Sequence, residues 1–266
     1  MIEKIRAFFE REAPTRSVDL HKNVVLYLED ISVSFDGFKA IDSLNLYVMK
    51  NELRCIIGPN GAGKTTMMDI ITGKTRPDSG SAWLGQNFNL LLHSEDQIAR
   101  AGVGRKFQKP TVFENLTVFE NLELAMDSDK RVFPTLFAQL TCVEDESIDV
   151  VMEKINLTDL SEERAGSLSH GQKQWLEIGM LLMQNAQLLL IDEPAAGMTH
   201  QEMGKTVELL QALKEKHTII VVEHDMDFVR SLESPITVLH QGKVLAEGDM
   251  NKIQNDPNVV EVYLGE

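Results

Sequence analysis

The sequence predicts an α/β fold: a domain of alternating strands and helices with a helical insertion. Three observations carry this prediction. Apolar runs of strand length alternate with helical stretches in the first and last thirds of the chain. A glycine-rich turn joins one of those runs directly to a helix. Between about 107 and 183, helical spacing dominates and no convincing strand occurs. At 266 residues the chain has room for one large domain or two modest ones, and its 43% apolar content supplies a core that needs no disulfide or metal staple.

Residues 1–23 are charge-rich and weakly amphipathic, with Pro14 as a stop, and read as an N-terminal extension. From Val24 the pattern is strand-like. Ile31, Val33 and Phe35 alternate with polar residues, as do Leu44, Leu46 and Val48. Judged by this alternation alone, Phe35 is a core residue. Leu53–Ile57 is a nearly continuous apolar run and predicts a buried strand. A helix follows over Lys64–Thr72, ended by Gly73. Capping boxes mark three further helix starts, at Ser94 with Gln97, Thr117 with Glu120, and Thr199 with Glu202. Ile148, Val151, Met152 and Ile155 have helical spacing. Strands return at Leu188–Ile191 and Thr218–Val222, each followed by a helix. A hairpin around Gln241-Gly242 and a short helical tail close the chain. No internal repeat is present.

Composition narrows the function classes. There are 26 basic and 41 acidic residues, a formal charge of −15, which disfavours a general nucleic-acid binder. The two cysteines, Cys55 and Cys142, have no metal-ligand spacing and read as reduced thiols. The most apolar region, Met180–Ile191, is interrupted by Gln184, Asn185 and Gln187, short of the ~18 apolar residues of a membrane span. The N-terminus lacks a secretory pattern. The expectation is a soluble, cytoplasmic polypeptide, for which any membrane part would come from another subunit.

The most informative stretch is Gly58-Pro59-Asn60-Gly61-Ala62-Gly63-Lys64-Thr65, a full match to G-x-x-x-x-G-K-[ST], followed by Thr66. Glycines let backbone N–H groups converge on phosphate oxygens, and the following helix adds its positive end. Lys64 is placed to reach the β- and γ-phosphates, and the Thr65 hydroxyl to ligate Mg²⁺. A second element, Leu188–Glu193, is an apolar strand delivering two carboxylates at its C-terminal end, where such sheets place their ligands. Asp192 completes the Mg²⁺ environment, and Glu193 polarises the attacking water. Together these predict a nucleotide- and Mg²⁺-binding site.

Between the two lies Leu168-Ser169-His170-Gly171-Gln172-Lys173-Gln174, opening a helix. Taken alone, Ser169 is an N-cap. The string resembles the signature of ABC-type ATP-binding subunits, usually written LSGGQ, and its position before the acidic strand matches too. Gln108, in Arg105-Lys106-Phe107-Gln108, resembles the family's glutamine after a strand. His224, in Val221-Val222-Glu223-His224-Asp225, resembles its histidine, and Phe35 its aromatic residue, with Phe38 a weaker choice.

This resemblance covers about 24–266. It implies a P-loop ABC-type nucleotide-binding domain with an antiparallel β-subdomain and a helical subdomain at about 107–183. It implies that Phe35 stacks on adenine, that Gln108 touches Mg²⁺ or water and senses the membrane partner, and that His224 holds the γ-phosphate. The nucleotide-binding set becomes Phe35, the loop 58–66, and Ser169, Gly171 and Gln172, with Glu193, His224, Gln108 and Lys64 catalytic and Thr65, Gln108 and Asp192 on the metal. Two copies, identical or paired with a second ATPase, would face head to tail, so that Ser169 and Gly171 of one reach the γ-phosphate held by the other. Transmembrane permeases and a periplasmic or extracellular substrate-binding protein are the implied partners, on the inner face of the cell membrane. Nucleic acid is not among them.

Two positions depart from the family pattern: His170 replaces the first signature glycine, and Thr199 stands where many relatives carry aspartate. Within the family, the strings Ser34–Ala40, Gly104–Gln108, His170–Trp175, Glu223–Met226 and Glu261–Glu266 resemble importers of branched-chain amino acids and, more closely, of urea and related amides. Lipopolysaccharide exporters share the ending. Rival readings are an ABC ATPase acting on DNA or ribosomes, a scaffold that binds ATP without hydrolysis, and a small-molecule kinase. The first lacks a coiled-coil insertion, with only 105 positions from Lys64 to Ser169, and has one cassette rather than two. The second conflicts with retention of Lys64, Asp192, Glu193 and His224. The third leaves Ser169–Gln174 unexplained. The apolar residues Val112, Phe113, Leu116, Val118 and Phe119, with Lys109 and Glu114 on the rim, read equally as subdomain core or as a groove for a permease helix.

Overall fold

A computed structural model describes residues 18–19, 23–107, 111–126 and 142–264. Gln108, Lys109 and most of the 1–23 extension lie outside the described residues. Two sheets organise the rest. One is antiparallel, with β1 (Val24–Phe35), β2 (Phe38–Met49), β4 (Ser79–Leu84) and β5 (Phe88–Asn89) in the order β2-β1-β4-β5. The other has six strands in the order β10-β9-β3-β8-β7-β6. In it, β3 (Leu53–Ile57), β6 (Val103–Lys106), β7 (Leu188–Asp192), β8 (Thr218–Val222) and β9 (Ile236–His240) run parallel. Only β10 (Lys243–Gly248) is antiparallel.

The near-continuous apolar runs follow from burial on both faces of that sheet. Cys55, Ile57, Leu189, Ile191, Ile219 and Val221 point into one core, shared with the helices. Ile56, Leu188, Leu190, Ile220 and Val222 point into the other, shared with the antiparallel sheet and α1 (Lys64–Ile71). The Cys55 thiol, sealed in the first core, is pushed up to about 12 by burial.

The helices begin where the caps predict. Reciprocal capping boxes close on α2 (Glu95–Arg100), α3 (Val118–Ala125) and α6 (His200–Leu213) at Ser94, Thr117 and Thr199. A fourth, unpredicted box joins Ser169 and Gln172 at α5 (His170–Met183). Each such cap is worth about 1 kcal/mol. α4 (Cys142–Lys154) carries Ile148, Val151 and Met152 of the predicted stripe, with Ile155 just past its end, all four buried. The chain then adds α7 (Met226–Ser231), the Gln241-Gly242 hairpin, α8 (Met250–Gln254) and α9 (Pro257–Leu264).

Phe35 is not a core residue. Register shifts along β1 end the alternation, the last between Val33 and Ser34. The tight Asp36-Gly37 turn (φ 48° and 86°) then leaves Phe35 47% exposed opposite Phe38. The apolar stretch after Thr111 divides: Val118 is wholly buried, Val112 and Phe119 pack against the helical core, and Phe113 is exposed.

Candidate functional site

The carboxyl ends of β3, β8 and β7, which are sheet neighbours, carry the phosphate-loop motif, Asp192 with Glu193, and His224. After β3, Gly58, Gly61 and Gly63 have φ of 155°, 79° and 102°, values that side-chain-bearing residues avoid. Space reinforces the choice. A Cβ on Gly58 would stand 2.2 Å from the Leu239 carbonyl oxygen, and one on Gly63 would meet Ala40 O at 2.8 Å. The loop is therefore pressed between β9 and β2. It is also hydrogen-bonded there: Gly242 N donates to Ala62 O, and Asp42 N to Gly242 O, both at 3.0 Å. Lys64 folds over the loop and donates to the carbonyls of Gly58 and Pro59. Burial lowers the affinity of its ammonium for its proton, while Glu193 and Asp192 act the other way. Asn60 and Thr66 lie in the same stretch, and the Thr65 side chain at the helix start is exposed.

Asp192 and Glu193 end β7. Burial raises the pKa of Asp192, and Arg105 on neighbouring β6 opposes that rise. The Arg105 guanidinium joins Asp69 of α1 and lies 3.6 Å from Asp192 Oδ2, so one buried cation ties the phosphate-loop helix to the acidic strand end. Glu193 has φ 44°, a left-handed backbone rare for a non-glycine residue and costing on the order of 1–3 kcal/mol. Its N–H donates to Val222 O of β8 at 2.9 Å, which fixes the turn. Its Oε1 lies 3.5 Å from His224 Nδ1, and the His224 ring is largely exposed.

Glu223, which the sequence reading leaves without a role, organises this corner. Only 1% exposed, its Oε1 accepts from Ala195 N at 2.8 Å, and its Oε2 from His224 N at 2.8 Å and Asp225 N at 3.1 Å. Three backbone donors replace the water this carboxylate has lost. The turn after Glu193 and the turn bearing His224 are thereby joined through one side chain.

Lys106 and Glu177 form a second buried arrangement that motif reading misses. Lys106 is wholly buried at the end of β6, and its Nζ donates to Phe107 O (3.2 Å) and Asp192 O (3.3 Å). Glu177 of α5 accepts from Thr111 N and Oγ1, the latter at 2.7 Å, and from the Phe107 backbone. Burial pushes the lysine pKa down and the carboxyl pKa up, and each charge counters the other's shift. A lone apolar-flanked lysine or glutamate carries no spacing signal, so only the fold reveals the pair.

Ser169 caps α5 and also donates from Oγ to Glu202 Oε1 at 2.8 Å. Gly171 lies against the same carboxylate: a Cβ there would stand 2.7 Å from Glu202 Oε1. His170 Nε2 sits 2.9 Å from Gln174 Nε2, which donates to Ala196 O. Among the described residues, the hydrogen bonds of Ser169 go to this helix start and to Glu202, not to the phosphate loop of the same chain. The fold thus gathers residues 58–66, Asp192, Glu193 and His224, sets Phe35 on the hairpin of the sheet behind the loop, and holds Ser169, Gly171 and Gln172 apart.

Among the described residues there is no cluster of three or more His, Cys, Asp or Glu side chains able to cage a metal. Mg²⁺ takes one or two protein oxygens and completes its shell with phosphate and water. A hydroxyl at Thr65 and a carboxylate at Asp192 are such a donor set. Backbone N–H groups exposed by three left-handed glycines suit a triphosphate.

Residues 41–196 match the family model described as ABC transporter, and residues 243–266 match one for the branched-chain amino acid ATP-binding cassette transporter. The high-affinity branched-chain amino acid transport ATP-binding protein BraF of Pseudomonas aeruginosa is 34% identical over 252 residues, 91% of this chain and 98% of that protein. LivG of Escherichia coli is likewise 34% identical, over 253 residues, with the same coverage. Among solved structures, an ATP-binding cassette of an ABC transporter in its ADP conformation superposes with a TM-score of 0.80 at 30% identity, covering 92% of this chain and all of that one. A dimeric bacterial ABC transporter cassette gives 0.70 at 25% identity, covering 85% and 98%.

Proposed function

The chain belongs to the ABC transporter family as an ATP-binding, ATP-hydrolysing subunit, and from that premise we propose that it powers an importer of branched-chain amino acids. Such subunits use ATP with Mg²⁺, dimerise, and work with transmembrane permeases. The substrate assignment is supported by BraF and LivG, aligned over nine-tenths of the chain, and by the match at 243–266. Urea, which the sequence strings suggest more closely, has no such support. In this reading the transported molecule passes through the permeases, so the nucleotide site itself favours neither.

The observation that carries the chemical reading is the convergence of Lys64, Asp192, Glu193 and His224 at adjoining strand ends. In this proposal Lys64 leaves its loop carbonyls for the β- and γ-phosphates, and Phe35, exposed on its hairpin, stacks on adenine. Pro59, Asn60, Ala62 and Thr66 line the phosphate cradle with the three glycines. Thr65, Asp192 and Gln108 hold Mg²⁺, which when bound neutralises phosphate charge. Glu193 polarises the attacking water and His224 steadies the γ-phosphate. Ser169, Gly171 and Gln172 serve the nucleotide of a partner cassette arranged head to tail, whether a second copy or a different ATPase. The 24–266 cassette sits on the inner membrane face against permeases fed by a binding protein, with 107–183 as its helical subdomain.

Uptake of labelled leucine and labelled urea in cells producing Lys64→Ala in place of the natural chain tests both parts. Loss of leucine uptake with urea uptake intact is expected. The reverse pattern would transfer the assignment to urea. Unchanged ATP affinity of the purified variant by calorimetry would refute the phosphate-loop role.

A further inference from the structure

Glu202 has no part in the chemistry described so far, yet its carboxylate spans two functional loops. It stands in the first turn of α6. Oε2 accepts from Thr199 N and from Thr199 Oγ1, each at 2.9 Å, while Oε1 accepts the Ser169 hydroxyl proton at 2.8 Å, thirty-three positions away in sequence. A capping box needs only one carboxylate oxygen on the Thr199 backbone. The second oxygen is free to do something else, and it reaches the turn that opens α5. Space is made for it, because any side chain at 171 would collide with Oε1. The Thr199 backbone bond and then the Ser169 hydroxyl are the main influences holding the carboxyl below its usual range, so the group stays ionised. A second, separate tie runs alongside: His170 to Gln174, and Gln174 to Ala196 O, with the His170 ring 3.4 Å from where a Cβ on Gly197 would stand. The turn 169–172 and the loop 193–199 are therefore cross-linked at two points.

We propose that Glu202 is a positioning residue for ATP hydrolysis: it aims the Ser169 hydroxyl and, through Thr199, makes the signature turn and the loop after Glu193 move as one body toward the partner's nucleotide. Ser169 Oγ is pinned from two sides, accepting from Gln172 N at 3.2 Å and donating to Glu202. Rotation of the O–H bond away from Glu202 Oε1 would exchange that hydrogen bond for one donated to a phosphate oxygen, while Oγ stays held by Gln172 N. The two departures from the family pattern, His170 and Thr199, both belong to this linkage.

The inference rests on the head-to-tail arrangement proposed above, and the experiment separates the two. In the full chain carrying Glu193→Gln, light scattering gives the ATP concentration for half-maximal dimerisation with Glu202→Ala, Glu202→Gln and Ser169→Phe. The same three substitutions without Glu193→Gln give kcat and KM, and calorimetry gives ATP affinity. Glu202→Ala is expected to leave ATP affinity within about twofold, while raising the dimerisation midpoint and lowering kcat about tenfold, the worth of one hydrogen bond to a charged acceptor. Glu202→Gln keeps an acceptor oxygen and recovers most of both. Wild-type dimerisation and turnover in Glu202→Ala, or a Gln variant no better than the Ala variant, would overturn the proposal. If Ser169→Phe is also normal, the head-to-tail reading itself fails; if Ser169→Phe is inactive while Glu202→Ala is normal, only the role of Glu202 is lost.

Discussion

His224 Nδ1 stands 3.5 Å from Glu193 Oε1, across the ends of neighbouring strands β8 and β7. A carboxylate held in a left-handed backbone beside an imidazole is a costly arrangement, and it fits the water-polarising role proposed for Glu193. Glu193→Gln keeps the shape and removes the proposed base. Its turnover is expected to fall at least a hundredfold, within the range general-base catalysis contributes, while ATP and Mg²⁺ trap a dimer visible by light scattering. Glu193→Gly should be equally inactive and no less stable, since glycine takes φ near 44° without strain. Thermal unfolding of the two variants separates the strain from the chemistry.

Glu223 joins both turns of that corner through three backbone donors. Glu223→Gln turns an –NH₂ toward N–H groups, leaving donors facing donors in a site without water. A loss of about 2–4 kcal/mol in urea unfolding is expected, as for buried bonds to a charged acceptor. In the fraction that remains folded, kcat is expected to drop more than ATP affinity, because Glu193 and His224 lose their mutual placement while the Gly58–Lys64 loop does not.

How much of this is legible in the sequence depends on where each residue's partner lies. The loop 58–65 reads plainly because its needs are local: three backbone angles, one cation and one hydroxyl in consecutive positions. The caps at Ser94, Thr117 and Thr199 read for the same reason, with partner and cap three residues apart. β4 escapes notice because its start, Ser79-Gly80-Ser81, is polar and Gly80 lies against the backbone of Glu29 and Asp30, a pairing set by β1. Phe35 misleads because a bulge shifts register, and alternation counts residues rather than register. Arg105, Lys106, Glu177 and Glu223 stay silent, and of Glu202 only its cap on Thr199 is legible, because the partners that give them their roles lie tens of positions away.

Asp42 gives a pH signature. Its carboxylate is bonded by Lys243 and Lys39, and these two ammonium groups, in that order, hold its pKa down to about 2. A carboxyl lowered on folding stabilises the native state above its unfolded value of 3.8, and that contribution fades as pH falls from there toward 2. NMR titration of Asp42 should show a midpoint near 2. Lys243→Met should raise that midpoint and flatten the acid limb of the stability curve between those two values. The contact is exposed, so added salt should have the same direction of effect.

Lys106 and Glu177 are buried opposite charges behind the Glu193–His224 corner, one on β6 and one on α5. Two outcomes compete. If the pair is a stability device, replacing both residues loses roughly the sum of the single losses. If each charge is present because the other is, either single replacement strands a buried charge at about 3–5 kcal/mol, whereas the double replacement is far milder. The hydrogen bonds favour the second outcome. Glu177 grips Thr111 and the Phe107 backbone with Lys106 as its countercharge, while Lys106 grips Phe107 O and Asp192 O and has Glu177 foremost among four carboxylates, ahead of Asp192, Glu223 and Glu193. Lys106→Met and Glu177→Gln, singly and together, are expected to give a coupling energy above about 1 kcal/mol in urea unfolding. The double variant should refold well yet hydrolyse ATP slowly, because Asp192 O and the Phe107 backbone lose the shared anchor that sets the acidic strand end relative to α5. Additive losses within about 0.5 kcal/mol would show that the two charges are independent.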